Sequence, residues 1–573
     1  MKKRLLYLGG AAVLLLCAVT LVLVLTPLGA SLFSKPSGGL IFSVEPAGML
    51  SARAGEQAAV RITAAKDAAV TVRLGTDEVP AERKQTVGDD AAVFEAVVTF
   101  PQEQTALALL DKLTVTARKG GKTQTADGPR VVLYAEEMTT ELPSVGNQIP
   151  DSPADVTQGG AYSEIDDFDT RAVQVPLARN GQLCMVTGGY ADTWNADPND
   201  DTFFPFQTTL APGTIDFAVG QSQVYDPDGD DLRSFYILSS GRKVRTEAVQ
   251  LLGGVMPNSN ALRVLSCEAQ NGALVLRLQT SWNVPYDFSF GPQDYYAANS
   301  EKFNVSAFTA SAIAFTFHYT TAASGNVNAA GSDVISGGVW SLDPEKQTAT
   351  LTLALREAGK YYGYVLRYET EGTLTLTIRK RPKALSGAVV MLDPGHGGVD
   401  SGALGFSGAV QESQVNFALA VAIKNALERR GATVWFTRTS DVYMSLEERK
   451  TFARSVQPDV FLSIHCNAAE NPDRYGTAVY YYRPMSFPLA DALHTRLSAL
   501  FRSAFYAGTS KSARTGHGVV FHPFSVTRLE ECPGVLIETA FITNNDDCLL
   551  LLDAANRDKI AEAVADGLED YFG

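Results

Sequence analysis

Cysteine is sparse in this chain. Six occur in 573 residues; Cys17 falls in an apolar run, and Cys184, Cys267, Cys466, Cys532 and Cys548 follow at no repeated spacing. An odd, irregular set excludes a disulfide framework and reads as buried small hydrophobes. Positive charge is also short, with 48 Lys and Arg against 63 Asp and Glu and a net charge of -15. That balance argues against a partner held by bulk electrostatics, whether nucleic acid or an anionic lipid surface. No compact HExxH-type metal signature occurs either.

The chain is too long for one core, and its length implies about three or four domains. Lys2, Lys3 and Arg4 precede Leu5 to Phe33, a stretch without a charged residue. Its length fits a transmembrane anchor with the basic end in the cytoplasm; a cleaved signal peptide is the competing reading, since Gly29-Ala30-Ser31 offers small residues near the end. Either way the remainder is expected to be exported, membrane-anchored or secreted.

Residues 36–136 alternate apolar and polar in short β-branched runs such as "AAVRITA" and "AVFEAVVTF", which fits a β-sandwich-like domain. A polar, proline-bearing linker is expected over 137–167. Residues 168–383 are again strand-rich ("ALVLRLQT", "TATLTLALRE") and form one or two further β modules. From 384 to 573 strands alternate with helices: "GAVVMLD", a helix from Glu412 closed by Gly431, "TVWFT", a helix opened by Ser445 with Glu448 at capping-box spacing, "VFLSIH", "TAVYYY" and "GVLIET". The expected fold class is thus multidomain: an N-terminal membrane segment (1–35), β-rich sandwich-like modules, and a C-terminal α/β domain with a mostly parallel sheet.

Three chemical groups fall at the carboxyl ends of expected strands: His396 in "LDPGHGG", His465 closing "VFLSIH", and Glu538 in "GVLIET". In open α/β sheets that edge binds ligands. Glu412 opens the helix after the first strand and can return to the same edge. Two imidazoles and a carboxylate suit a catalytic zinc site with its fourth position open, and a further carboxylate suits a general base. Taken singly, each could as well be a structural histidine or a strand-end charge.

The motifs "LDPGHGGVDSGA", "QESQVNFALA", "TRTSDVYMSLEER", "DVFLSIHCNA" and "CPGVLIETAFITN", in this order, resemble the zinc-dependent N-acetylmuramoyl-L-alanine amidases of bacterial peptidoglycan. The resemblance implies one zinc ion per catalytic domain, held by His396, Glu412 and His465, with Glu538 as catalytic glutamate. Asn416, Asn467 and Arg528 fall on matching positions with substrate-binding or supporting roles, and Asn544, Arg438 and Asp441 match as well. His517 and His522 are not required by the family pattern; they read as solvated loop residues or substrate-side contacts. The implied function is cleavage of the amide between N-acetylmuramic acid and L-alanine of the stem peptide, in wall remodelling or cell separation. The implied partners are peptidoglycan, the membrane through the N-terminal segment, and a wall or protein partner of the β modules, with no nucleic acid. Two alternatives stay open: a catalytically silent wall-binding or scaffold protein, and a zinc hydrolase of another wall bond.

Overall fold

Short valine- and alanine-rich strands dominate the first two-thirds of the chain, and their alternation decides which face is buried. The computed structural model describes residues 39–101, 107–134, 181–196, 206–226, 231–253, 259–291, 307–369, 372–513 and 516–573. Two compact units divide the chain: residues 1–138 with the short segments 404–411 and 552–554, and the remainder.

The first unit carries two facing sheets, one of four strands and one of five. Along Gln57–Ala65 the side chains of Val60, Ile62 and Ala64 turn inward, and along Ala91–Thr99 those of Phe94, Ala96 and Val98 do the same. They meet Val70, Val72, Leu113, Val115 and Ala117 in one core. Each larger apolar side chain buried there contributes about 1.5–3 kcal/mol.

In the second unit, residues 182–378 form three sheets of six, five and four strands. Within these sheets every pairing is antiparallel except that of Asn260–Gln270 with Thr320–Ser324. Aromatic residues join the sheets. Phe217 of the six-stranded sheet packs edge-on against Trp282 and Tyr319, which stack at 5.6 Å, and the Tyr319 hydroxyl donates to Asp216 at 2.6 Å.

The C-terminal α/β domain is built on six strands: β1 (Val389–Pro394), β2 (Thr433–Phe436), β3 (Val460–Asn467), β4 (Thr477–Tyr481), β5 (Gly516–Phe521) and β6 (Gly534–Phe541). Their order is β2-β1-β3-β6-β4-β5, with every pair parallel except β4 with β6. The central strands β1, β3 and β6 are apolar on both faces because helices cover both. These are α1 (Glu412–Arg429), α2 (Leu446–Val456), α3 (Phe487–Leu500), α4 (Asn545–Leu552) and α5 (Ala554–Phe572).

Helix α1 turns Val415, Leu419, Ile423, Ala426 and Leu427 inward, and Gly431, at φ +82°, ends it. The capping box of α2 is present: Ser445 Oγ accepts from Glu448 N at 3.2 Å, and the Glu448 carboxylate accepts from Ser445 N at 2.7 Å. Helix α3 ends at Leu500 and continues as a π turn over Phe501–Phe505.

The expected fold class needs one correction. The membrane segment expected over residues 1–35 lies outside the described residues, as does the linker expected over 137–167. Among the described residues no helix is long and apolar enough to cross a membrane. The longest, α5, carries Arg557, Asp558, Lys559, Glu562, Asp566, Glu569 and Asp570 within 19 residues, a charge load no bilayer core accepts. The fold is multidomain, with β-rich parts and a mostly parallel α/β domain.

Candidate functional site

Strand β1 ends in the turn that carries His396. Asp393, buried at its end, accepts from Thr437 Oγ1 at 2.6 Å, Ser463 Oγ at 2.7 Å and Arg449 Nη1 at 2.6 Å. It therefore ties β1 to the end of β2, to β3 and to α2. The turn continues with His396 in the left-handed region, at φ +60°, a strained conformation that its surroundings must hold. Arg438 holds it by donating to the carbonyls of Pro394 at 3.0 Å and Gly395 at 3.1 Å; Arg449 holds it by donating to that of His396 at 2.9 Å. Asp441 accepts from Gly398 N at 2.9 Å. Glycine is required where the turn passes the second histidine, because a Cβ on Gly395 would lie 2.1 Å from His465 Cε1 and 2.3 Å from Nε2. On Gly402 it would lie 2.6 Å from His396 Cδ2 and 2.7 Å from Glu412 Oε2.

Three of the expected residues converge. His396 Nε2 lies 3.3 Å from Glu412 Oε2, and His465 Nδ1 lies 3.0 Å from Glu412 Oε1. One ligand atom from each of the three falls within 4.8 Å of the others. Glu412 is almost wholly buried and fixed from several sides: Ala403 N donates to Oε2 at 2.9 Å, while Asn416 Nδ2 and Cys466 N each donate to Oε1 at 3.1 Å. Burial works against its charge, but the His396 and His465 contacts outweigh burial and hold the carboxyl well below the usual range. His396 is pushed the other way. Burial opposes its protonation, yet Glu412 and Asp400 raise it to about 9. Asp400 Oδ2 sits 2.8 Å from His396 Nδ1, which leaves Nε2 directed at the cluster.

Glu538 stands beside them on β6 as the register partner of His465 on β3. Its Oε2 is buried and has no hydrogen-bond partner among the described residues. Burial raises its carboxyl to about 7, against the pull of His465; Glu412 adds to the rise, and His396 opposes it. A carboxylate with that affinity for a proton and an unused oxygen suits proton transfer near neutral pH.

A family model described as N-acetylmuramoyl-L-alanine amidase matches residues 390–570. N-acetylmuramoyl-L-alanine amidase LytC of Bacillus subtilis is 36% identical over 186 residues, 32% of this chain and 36% of that one. The probable cell wall amidase LytH of Staphylococcus aureus is 31% identical over 211 residues, 37% of this chain and 67% of that one. The chain belongs to the N-acetylmuramoyl-L-alanine amidase family. A solved catalytic domain, that of CwlV from Bacillus (Paenibacillus) polymyxa var. colistinus, is similar at 30% identity over 32% of this chain and 97% of that one, with a TM-score of 0.29. The chain thus spans about a third of LytC and two-thirds of LytH.

The remaining sequence candidates in the amidase domain divide between the cluster and its supports. Asn416 belongs to the cluster through Glu412 and also reaches Gly395 O at 3.4 Å. Asn467 ends β3 and lines a cavity beside it. Asn544 braces a loop, donating to Pro472 O at 2.7 Å and accepting from Asp546 N and Asp547 N at the start of α4.

Arg528 does not join the cluster. It precedes the amino end of β6, whereas Glu538 is near the carboxyl end. Its guanidinium is taken up by Asp192 at 3.2 Å, by Pro523 O at 3.1 Å and by the Phe206 ring at 3.8 Å.

Asp192 belongs to the β-rich part, and it also binds Lys450 of α2 at 2.6 Å. The two charges of Lys450 and Arg528 overcome burial and hold its carboxyl well below the usual range. Nearby, Arg454 of α2 pairs with Glu531 at 2.9 Å and lies over the Tyr190 ring. Glu530 accepts from the Tyr364 hydroxyl and pairs with Arg483 at 2.6 Å. The β-rich part of this unit is thus fastened to the amidase domain through buried charge pairs.

Sequence reasoning assigned no role to Asp400 or Arg449. Asp400 lies four residues after His396 inside the quoted motif, and Arg449 directly follows the capping-box glutamate. Both signals were present, but only the folded turn shows what they hold.

Proposed function

We propose that the protein is a zinc-dependent peptidoglycan hydrolase that cleaves the amide between N-acetylmuramic acid and the L-alanine of the stem peptide, acting at the cell wall. The observation that carries the reading is the convergence of His396, Glu412 and His465 within 4.8 Å, with the partnerless Glu538 oxygen beside them. The donor set fits zinc, since two imidazoles and one carboxylate leave a fourth position open. His396, Glu412 and His465 would hold the ion. Once bound, it supplies Lewis acidity that polarises the scissile carbonyl and acidifies water.

The chain's own residues do the rest. Asp400 fixes the ring orientation of His396, and Asn416 does the same for the Glu412 carboxylate. Glu538 takes the proton from the attacking water as the carbonyl carbon is attacked. When the C–N bond breaks, Glu538 returns that proton to the alanine nitrogen, which leaves as an amine.

The intact ligand set and base speak against a silent wall-binding protein, which would be free to lose any of them. The full chain, incubated with peptidoglycan with and without a chelator, tests the reading by mass spectrometry of the new termini. Chelator-sensitive release of stem peptides with free L-alanine amines supports it. New glycan ends or internal peptide cuts point to another wall bond, and no release despite bound zinc contradicts the proposed activity.

A further inference from the structure

A cavity of about 350 Å³ opens at the carboxyl edge of the sheet, on the Glu538 side of the cluster. Its walls include Asn467 from the end of β3, Asn471 and Arg474 from the loop that follows, Tyr480 of β4, His517 of β5 and Phe541 at the end of β6. Arg474 is exposed, and no carboxylate among the described residues forms an ion pair with it. It is nevertheless steered. His517 Nε2 lies 3.0 Å from Tyr475 O, so that nitrogen carries the hydrogen and Nδ1 faces the Arg474 guanidinium as an acceptor at 3.5 Å. The guanidinium also lies 6.0 Å from the centre of the Phe541 ring. The Oδ1 atoms of Asn467 and Asn471 accept from Ala468 N and Asp473 N, which makes their amide NH2 groups the donors; the Asn467 side chain is also hydrogen-bonded to Tyr480 in the cavity wall. An uncompensated cation with further donors and two aromatic walls suits a planar anion.

Chemistry fixes which part of a substrate lies there. Glu538 must touch the leaving nitrogen to protonate it, so the amine side of the scissile amide lies over β6 rather than towards His396. Phe541 is three residues beyond Glu538 and Asn467 two beyond His465, about 7–10 Å along the strands. An extended peptide covers that distance in two or three residues.

We infer that this cavity is the subsite for a carboxylate on the leaving peptide, about one residue past the alanine, and that Arg474 sets a preference for stem peptides whose second residue keeps its carboxylate free over those in which it is amidated. The inference rests on the amidase reading.

The test uses the full zinc-loaded chain and two muropeptides that differ only in a carboxylate or a carboxamide on the second residue. In parallel, NMR titration follows binding of the two corresponding free peptides, which needs no turnover. Wild type is expected to favour the carboxylate about tenfold or more in kcat/KM, mainly through KM, and in peptide affinity. Arg474→Gln should bring the two substrates to within about twofold, and Arg474→Lys should restore part of the difference. Equal treatment of the two peptides by wild type, or a preference that survives Arg474→Gln, overturns the inference while leaving the amidase reading intact. Discrimination in binding without cleavage of either muropeptide keeps the subsite and sinks the activity.

Discussion

His465 and Glu538 are register partners on the adjacent parallel strands β3 and β6. Side chains paired in this way leave the sheet side by side on the same face, so the register alone brings an imidazole of the cluster next to the buried Glu538 carboxylate, the proposed base. The same closeness makes Glu538 sensitive to pH. Burial lifts its carboxyl to about 7, and a cation bound by the neighbouring ligands would draw it down again. A base works only when unprotonated. Activity should therefore fall as pH drops through a single acidic limb at or below about 7. A kcat/KM profile from pH 4 to 9 checks this, with metal content followed in parallel so that loss of the ion is separated from protonation of the base. Activity that rises towards low pH would contradict the assignment.

Asp400 should matter more to metal binding than its half-buried position suggests. It sets which nitrogen of His396 faces the cluster, and partners of this kind are worth about 10–100-fold in metal affinity. Asp400→Ala is expected to weaken zinc binding by about that factor with the thermal midpoint of the metal-free chain nearly unchanged. Competition with a chromogenic chelator gives the affinity. An unchanged value would mean that the turn alone orients the ring.

Asp192 should be a stability residue for the amidase domain even though it belongs to the β-rich part. Its carboxylate answers both Lys450 and Arg528, each almost fully buried. Removing it takes the shared carboxylate from two buried cations, of which Lys450 keeps Glu447 at 2.9 Å and Arg528 keeps the Pro523 carbonyl at 3.1 Å, a loss below the roughly 3–5 kcal/mol of a fully broken buried pair but above about 1 kcal/mol. Asp192→Ala should lower the urea midpoint of the unit accordingly, and a change under about 1 kcal/mol would show that water or rearrangement compensates.

The stability link to pH has a definite sign. The Asp192 carboxyl is held below its ordinary value in the folded chain, so its contribution is present above the unfolded value and lost as pH falls through the folded one. The Asp192→Ala chain should thus lose less stability on acidification than wild type does.

Much of the site could be read before folding because strand ends, turns and a helix start are local features. His396, His465 and Glu538 each close or follow an apolar run, and Glu412 opens a helix. The supports were harder to see. Arg528 is separated from Asp192 by 336 positions, so no local pattern could show that its charge is consumed away from the cluster. Helix α3 ends at Leu500 because the chain widens into a π turn, which brings the Phe501 and Phe505 rings to 5.1 Å; periodicity alone continues such a helix. The charged faces of α1 and α5 show why neither can be a membrane span, whereas the apolar run at the start of the chain lies outside the described residues.

The most direct test of the central claim is a single comparison of zinc-loaded wild type with Glu538→Gln, which keeps the shape of the side chain and removes the base. Metal content and release of L-alanine amines from peptidoglycan are measured on the same samples. The account predicts one zinc per chain in both proteins and a loss of release in the variant of at least about a hundredfold. Release near the wild-type rate with zinc bound would contradict it, because the proton would then have to be carried by a group other than Glu538.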